Sequence, residues 1–283
     1  MPIKVEQVSY TYQPNTPFAA KALSEVSLTI NSGEFLGIIG HTGSGKSTLI
    51  QHLNGLLFAG EGRVLVDGVE VGQKSKSIKE IRQKVGLVFQ YPEQQLFEET
   101  VAKDISFGPR NLGLSPHEVE RRVRWAMSMV DLEKNKFGDA SPFSLSGGEK
   151  RRVAIAGVLA MQPKYLILDE PCAGLDPQGK AELLGHLQRL NEKGLAIVLV
   201  SHSMDDVARL AKRLVVIQKG RIIYNDTTRK VFSRAQELEQ MGLGVPEVMK
   251  LMMALKERGL QVREDRITEE EGLAEILRVF DHA

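Results

Sequence analysis

The chain reads as an α/β protein: a mostly parallel sheet covered by helices, with a small helical appendix at its end. Three observations predict that class. The run "EFLGIIG" (residues 34–40) is a strand that passes straight into a glycine-rich loop. Further short apolar runs, "YLILDE", "AIVLVSH" and "RLVVIQKG", recur with helix-type sequence between them, the rhythm of parallel strands joined by crossover helices. A hydrophobic share of 42% over 283 residues is enough for one large core plus an appendix.

Taken in order, residues 3–71 are dominated by strand signals. "IKVEQVSYTY" and "RVLVDG" alternate or run β-branched, with Gly33, Gly40 and Gly68 as punctuation. From about residue 91 the sequence becomes charged and helix-forming, as in "SPHEVERRVRWAMSMVDL", where Ser115 suits an N-cap and Pro116 the first turn. That stretch predicts a helical insert over about residues 91–150, after which the strand-type runs return. Past residue 235 two amphipathic helices follow. Val248, Leu251, Met252 and Leu255 share one face of the first; Leu273, Ile276, Leu277 and Phe280 share one face of the second, and Thr268 with Glu271 makes a capping box at its start. Such stripes need covering, by the chain's own domain or by a partner subunit.

Composition narrows the function classes. Lys+Arg 37 against Asp+Glu 36 leaves no overall field to recruit nucleic acid or anionic lipid. The single cysteine, Cys172, rules out an internal disulfide and agrees with a reducing compartment. The start "MPIKVEQVSYTY" has no secretory pattern and no apolar run approaches spanning length, so a soluble, cytoplasmic chain is expected.

The chemistry begins at "GHTGSGKST", Gly40, His41, Thr42, Gly43, Ser44, Gly45, Lys46, Ser47 and Thr48. Gly40, Gly43 and Gly45 let the backbone wrap so that N–H groups point at phosphate oxygens, Lys46 reaches the terminal phosphates, and the Ser47 hydroxyl can ligate Mg²⁺. In "YLILDE" a buried strand delivers Asp169 to its carboxyl end, where it can hold the same Mg²⁺, and Glu170 follows as a general-base candidate that can polarise a water attacking the γ-phosphate. In "LSGGEKRRVAIAGVLA" the apolar spacing of Val153, Ile155, Ala156 and Leu159 is helical, so Ser146, Gly147 and Gly148 sit at a helix N-terminus with free N–H groups. By itself that is only a capped helix start.

The full "LSGGE" resembles the signature of the ABC-transporter ATPases, and five more motifs stand in that family's order. They are the loop 40–48, Gln90 in "VGLVFQ", the strand "LILDE", "AGLD" ending at Asp176, and His202 in "VSH". The likeness covers about residues 3–235 and implies a P-loop cassette: a mostly parallel core sheet, an antiparallel β-subdomain and a helical subdomain; the appendix at 236–283 lies outside it and is a candidate dimerisation element. It also implies that two cassettes pair head to tail. Loop 40–48 of one chain and Ser146, Gly147, Gly148 and Glu149 of the other then close on one ATP, with Asp176 bridging the subunits. Gln90 binds Mg²⁺ or the attacking water, His202 donates to the γ-phosphate, and Tyr12 stacks on adenine, with Tyr10 as the second choice.

The segment "YPEQQLFEETVAKDISFGPRNLG" and the tail "GLGVPEVMKLMMALKERG" further resemble the energy-coupling-factor group, in particular the second of its paired ATPase subunits. This implies a peripheral subunit on the cytoplasmic side of the cell membrane. Its partners are a similar, non-identical ATPase in a heterodimer, a transmembrane coupling subunit docked near residues 94–107, and substrate-binding membrane subunits for vitamins or for nickel and cobalt; no nucleic acid is expected. The competing reading is a cytosolic ABC-type ATPase acting on DNA or ribosomes, against which stand the balanced charge and the lack of a long coiled coil. Cys172 stands where the family has serine or threonine and is read as a small neutral replacement.

Overall fold

The computed structural model describes residues 1–72 and 77–280. In chain order, strands β1 (Ile3–Tyr12), β2 (Ala20–Ile30) and β3 (Phe35–Ile39) lead through the glycine loop into helix α1 (Lys46–Leu53). β4 (Glu61–Val66), β5 (Val69–Glu70), α2 (Ile78–Lys84) and β6 (Val85–Val88) follow. A 3₁₀ turn at Pro92–Gln95 opens the insert, which contains α3 (Val101–Asn111), α4 (Pro116–Met129), α5 (Lys134–Phe137), a second 3₁₀ turn (Pro142–Ser144) and the start of α6 (Gly147–Leu159). The core resumes with β7 (Tyr165–Asp169), α7 (Pro177–Glu192), β8 (Ala196–Val200), α8 (Met204–Leu210), β9 (Arg213–Gln218) and β10 (Arg221–Thr227). Then come α9 (Thr228–Phe232), α10 (Ala235–Gln240), α11 (Glu247–Glu257) and α12 (Glu269–Phe280).

Two sheets form. The larger runs β6-β7-β8-β3-β9-β10, parallel throughout except for the antiparallel edge pair β9-β10. The smaller, β2-β1-β4-β5, is antiparallel. The alternation of side chains along each parallel strand divides the core in two. Phe35 and Ile39, Leu166 and Leu168, Ile197 and Leu199, and Leu214 and Val216 join the helical side with α3, α4 and α6–α8. Leu36 and Ile38, Tyr165 and Ile167, Val198 and Val200, and Val215 and Ile217 join the other side, with α1 and the antiparallel sheet. Covered on both faces, these strands read as unbroken apolar runs, which is why the parallel sheet was legible in the sequence.

Within the insert α4 starts as expected: Ser115 is its cap, the hydroxyl accepting from Glu118 N at 3.3 Å, and Pro116 occupies the first position. Met127 is buried, with Trp125 and Met129 packed against the core. α6 continues across residue 150 unbroken, its first turn projecting from the insert while Val153, Ile155, Ala156 and Leu159 are buried in the core.

The tail departs from the stripes marked by spacing. Met252 is buried, and Val248, Leu255 and Ile276 are half-buried, but Leu251, Leu273, Leu277 and Phe280 are exposed. α11 instead turns Met249 and Met252 inward, and α12 turns in Gly272 and Glu275. The reason is the seam between the two helices: a Cβ on Gly272 would stand 2.2 Å from Val248 Cγ2, so the helices touch there and the apolar flank faces outward. Glu275 is 4% exposed and accepts from Arg263 N at 3.0 Å and from Arg278 at 2.6 Å, with Arg266 at 3.3 Å. Among the described residues no helix is long and apolar enough to cross a membrane.

Gly37 in the centre of β3 faces α8: an added Cβ would lie 2.6 Å from Val207 Cγ1 and 3.0 Å from Leu214 Cδ1. Gly37→Ala is expected to cost about 1–3 kcal/mol in urea denaturation through overpacking, and an unchanged midpoint would contradict this close packing. In the tail, the Arg278 contact, outweighing burial, holds the Glu275 carboxyl down from 4.5 to about 2. A depressed carboxylate stabilises above its unfolded value and loses that contribution as pH falls through its folded one. The amide-exchange protection of α12 in the wild type should therefore exceed that of Glu275→Gln near neutral pH, with the gap closing between about pH 4.5 and about 2.

Candidate functional site

The parallel strands end on one edge of the large sheet, and the loops leaving them gather the polar residues that the sequence singled out. Loop 40–48 leaves β3, Gln90 follows β6, Asp169 ends β7 with Glu170 next, and His202 follows β8. Two glycines of the loop have no room for a side chain. A Cβ on Gly40 would stand 2.3 Å from the Ile217 carbonyl oxygen, and one on Gly45, at φ +107°, would stand 2.6 Å from that of Ala22. Lys46, 8% exposed, lies along the loop and donates from Nζ to the carbonyls of Gly40 (2.6 Å) and His41 (2.9 Å). Burial lowers its pKa, opposed by Glu170 and Asp169. Ser44 Oγ is buried in the loop without a hydrogen-bond partner.

Ser47 Oγ donates to Asp169 Oδ2 at 2.8 Å, joining the first turn of α1 to the end of β7 across 122 residues of sequence. Burial pushes the Asp169 carboxyl above its ordinary value, with the Ser47 hydrogen bond pulling the other way. Beside this pair, Glu170 stands at φ +49°, a strained backbone for a residue with a side chain, secured by its N–H donating to the Val200 carbonyl at 2.9 Å. Its Oε2 accepts from Gln90 Nε2 at 3.2 Å and lies 3.3 Å from His202 Nδ1. The structure thus brings Gln90, Glu170 and His202 together, with Ser47, Lys46 and Asp169 adjacent.

Thr48 and Tyr12 complete this edge. Tyr12 OH and Thr48 Oγ1 are 3.2 Å apart, and the Tyr12 ring, 38% exposed, stands edge-on to Tyr10 at 4.9 Å between centroids. Tyr10 in turn packs against buried His52 and the core, so Tyr12 is the one with a free face beside the loop. Thr42 and Gly43 are exposed at the loop's crest. The His41 imidazole lies against Gly242 of the tail, where a Cβ would stand 2.4 Å from Nε2.

Ser146, Gly147, Gly148 and Glu149 form a separate feature. Ser146 caps α6: its hydroxyl accepts from Glu149 N at 3.3 Å while Glu149 Oε2 accepts from Ser146 N at 2.9 Å, a reciprocal capping box. A Cβ on Gly147 or Gly148 would meet nothing within 4 Å, so among the described residues no neighbour excludes a side chain there. They line a groove of about 520 Å³ together with Asp176, which caps α7 by accepting from Gly179 N at 2.7 Å; no residue of loop 40–48 borders it. Cys172 is half-buried and burial pushes its thiol up to about 12, the behaviour of an inert small side chain.

Two residues in this region escaped the motif reading. Arg151 of α6 is 3% exposed and grips Glu93 with a fork, Nε to Oε2 at 3.0 Å and Nη2 to Oε1 at 2.9 Å. Its position, four and eight residues before Ile155 and Leu159 on the buried stripe of α6, is the signal that a buried charge needed a partner.

Residues 23–173 match the ABC transporter family. The energy-coupling factor transporter ATP-binding protein EcfA2 of Clostridium tetani is 52% identical over 283 residues, covering 100% of this chain and 98% of the relative. The protein so named in Symbiobacterium thermophilum is 56% identical over 280 residues, covering 99% and 97%. Among solved structures, cbiO1 from Clostridium perfringens, part of the ABC transporter complex cbiONQ, aligns with a TM-score of 0.75 at 37% identity, covering 89% of this chain and 98% of that one. The cassette MJ0796, in a dimeric post-hydrolysis state bound to ADP and Pi, aligns with a TM-score of 0.71 at 29% identity, covering 80% and 98%. With a glycine loop, a Ser47–Asp169 pair and a Gln90–Glu170–His202 cluster on one sheet edge, and likeness to these relatives along its whole length, the chain belongs to the ABC transporter family, among the energy-coupling factor transporter ATP-binding proteins.

Proposed function

We propose that the chain binds and hydrolyses ATP as one of two ATPase subunits that power an energy-coupling-factor importer of vitamins or transition-metal ions. The observation that carries this reading is the division of the polar machinery into two surfaces. The loop 40–48 with Gln90, Asp169, Glu170 and His202 makes one; the groove of Ser146, Gly147, Gly148 and Asp176 makes the other. A helix N-terminus with free N–H groups and two glycines that no packing contact among the described residues requires suits the γ-phosphate of an ATP held by a second cassette. Each chain then supplies half of two sites, ATP joins the pair, and loss of the shared phosphate contact on hydrolysis lets it open.

Within the closed site, N–H groups of loop 40–48, Lys46 and the orphaned Ser44 hydroxyl hold the phosphates, and Tyr12 stacks on adenine. The hard oxygens of Ser47 and Asp169, already within 2.8 Å of each other, and the amide oxygen of Gln90 fit Mg²⁺, which takes few protein ligands beside substrate phosphates. When bound, that ion would supply positive charge to offset the negative charge of the substrate phosphates. Glu170 accepts the proton of the attacking water, Gln90 orients that water, and His202 donates to the γ-phosphate.

The partners follow from the same reading: a similar, non-identical ATPase subunit in a heterodimer, a transmembrane coupling subunit, and substrate-binding membrane subunits, with this chain peripheral on the cytoplasmic face. Exposed Phe97 and Phe107, edge to face at 5.0 Å, suit the docking of the coupling subunit near residues 94–107. The exposed flank of Leu251, Leu273, Leu277 and Phe280 suits the appendix as a contact within the ATPase pair.

Purification of the tagged chain from detergent-solubilised membranes should bring down a second ATPase and a membrane protein; recovery of ribosomes or DNA would overturn the transport reading. Glu170→Gln should keep ATP affinity, reduce turnover by about 10²–10⁴-fold and accumulate an ATP-bound dimer on gel filtration, whereas undiminished hydrolysis would discard Glu170 as the base. Ser146→Arg should leave ATP binding to the single chain unchanged and lower turnover of the pair. Loss of single-chain affinity would instead place this serine in the chain's own site.

A further inference from the structure

The Arg151 guanidinium ties together three segments that the site's chemistry needs in register. Besides its fork onto Glu93, Nη1 donates to the carbonyl oxygens of Pro171 at 2.8 Å and Ala173 at 2.7 Å. Four hydrogen bonds thus leave one planar head in three directions. Its own backbone belongs to the first turns of α6, whose N-terminus is Ser146 and Gly147. Glu93 lies in the 3₁₀ turn three residues after Gln90, entered through Tyr91 at φ +54°. Pro171 and Ala173 are one and three residues after Glu170, whose own backbone is left-handed at φ +49°. The 3.2 Å contact between Gln90 and Glu170 therefore joins two strained turns that Arg151 fastens to each other from the far side.

We infer that Arg151 and Glu93 form a positioning pair for hydrolysis: the buried fork sets Gln90 against Glu170 and couples both to the signature end of α6, without taking part in nucleotide binding. The inference rests on the proposed roles of Gln90 and Glu170. None of the four bonds reaches loop 40–48, so the loop's hold on the phosphates, which carries most of the ATP affinity, does not depend on the pair, while the step that needs water aligned between two turns does. A lysine cannot replace Arg151, because one ammonium on a flexible stem cannot fork a carboxylate and reach two carbonyls at once.

The test uses the ATPase complex purified on the tagged chain, comparing wild type, Arg151→Lys, Glu93→Gln, the double variant and Glu170→Gln, with kcat, ATP affinity and unfolding temperature measured on each. Arg151→Lys and Glu93→Gln should each lower kcat by about ten-fold or more while ATP affinity stays within about two-fold, and the double variant should be no worse than the poorer single one, since both break the same contact. A purely structural pair would lower unfolding temperature and ATP affinity along with turnover, and that result overturns the inference. So do single variants with kcat within about two-fold of wild type, or losses that add in the double variant as for independent sites. Retained turnover in Glu170→Gln would remove the underlying assignment of the base, a result read separately from the Arg151 and Glu93 series.

Discussion

Burial of the parallel sheet on both faces is the constraint from which the rest of this molecule follows. With α6–α8 on one side and α1 with the antiparallel sheet on the other, β3, β6, β7, β8 and β9 have no lateral surface left for polar chemistry. Only the strand ends reach solvent. Because the strands run parallel, their carboxyl ends lie on the same edge, and four strand ends deposit Gly40, Gln90, Asp169 with Glu170, and His202 side by side although they are spread over more than half the chain. The 2.8 Å bond from Ser47 to Asp169 and the 3.2 Å bond from Gln90 to Glu170 are direct consequences of this arrangement.

The helical insert adds a second surface that the sheet cannot provide. α6 anchors its later turns in the core through Val153, Ile155, Ala156 and Leu159 and presents its N-terminus on a groove that no residue of loop 40–48 borders, with Ser146 and Glu149 capping each other. A helix end with its donors facing outward is useful only to something that arrives from outside. Asp176 lies on the same groove, so the surface that we propose faces a second cassette combines a helix N-terminus with an acidic residue.

Two left-handed turns and a buried charge lie close together near these two surfaces. Tyr91 and Glu170 both hold left-handed backbones, and Arg151, almost inaccessible to water, connects the turns that contain them. A guanidinium taken out of water is tolerated only with its donors satisfied, and here a carboxylate and two carbonyl oxygens satisfy four of them. The burial of Glu93 raises its carboxyl pKa, but the guanidinium more than compensates, keeping it below its usual value and the pair ionised.

The sequence by itself determined the fold class and named most residues of the candidate site, because both are written in contiguous patterns: apolar strand runs, "GHTGSGKST", "LILDE" and "LSGGE" each lie within a few residues. Strand order, the packing of Tyr10 against His52, and the grip of Arg151 on Glu93, 58 residues away, were decided only by tertiary structure. The tail shows the same boundary. Helical spacing marks which residues share a face, as it did for Leu273, Ile276, Leu277 and Phe280, but which face turns inward depends on where another helix can approach, and Gly272 against Val248 settled that. Local sequence specifies what a segment can be, whereas contacts between distant segments depend on shapes that exist only once the chain has folded.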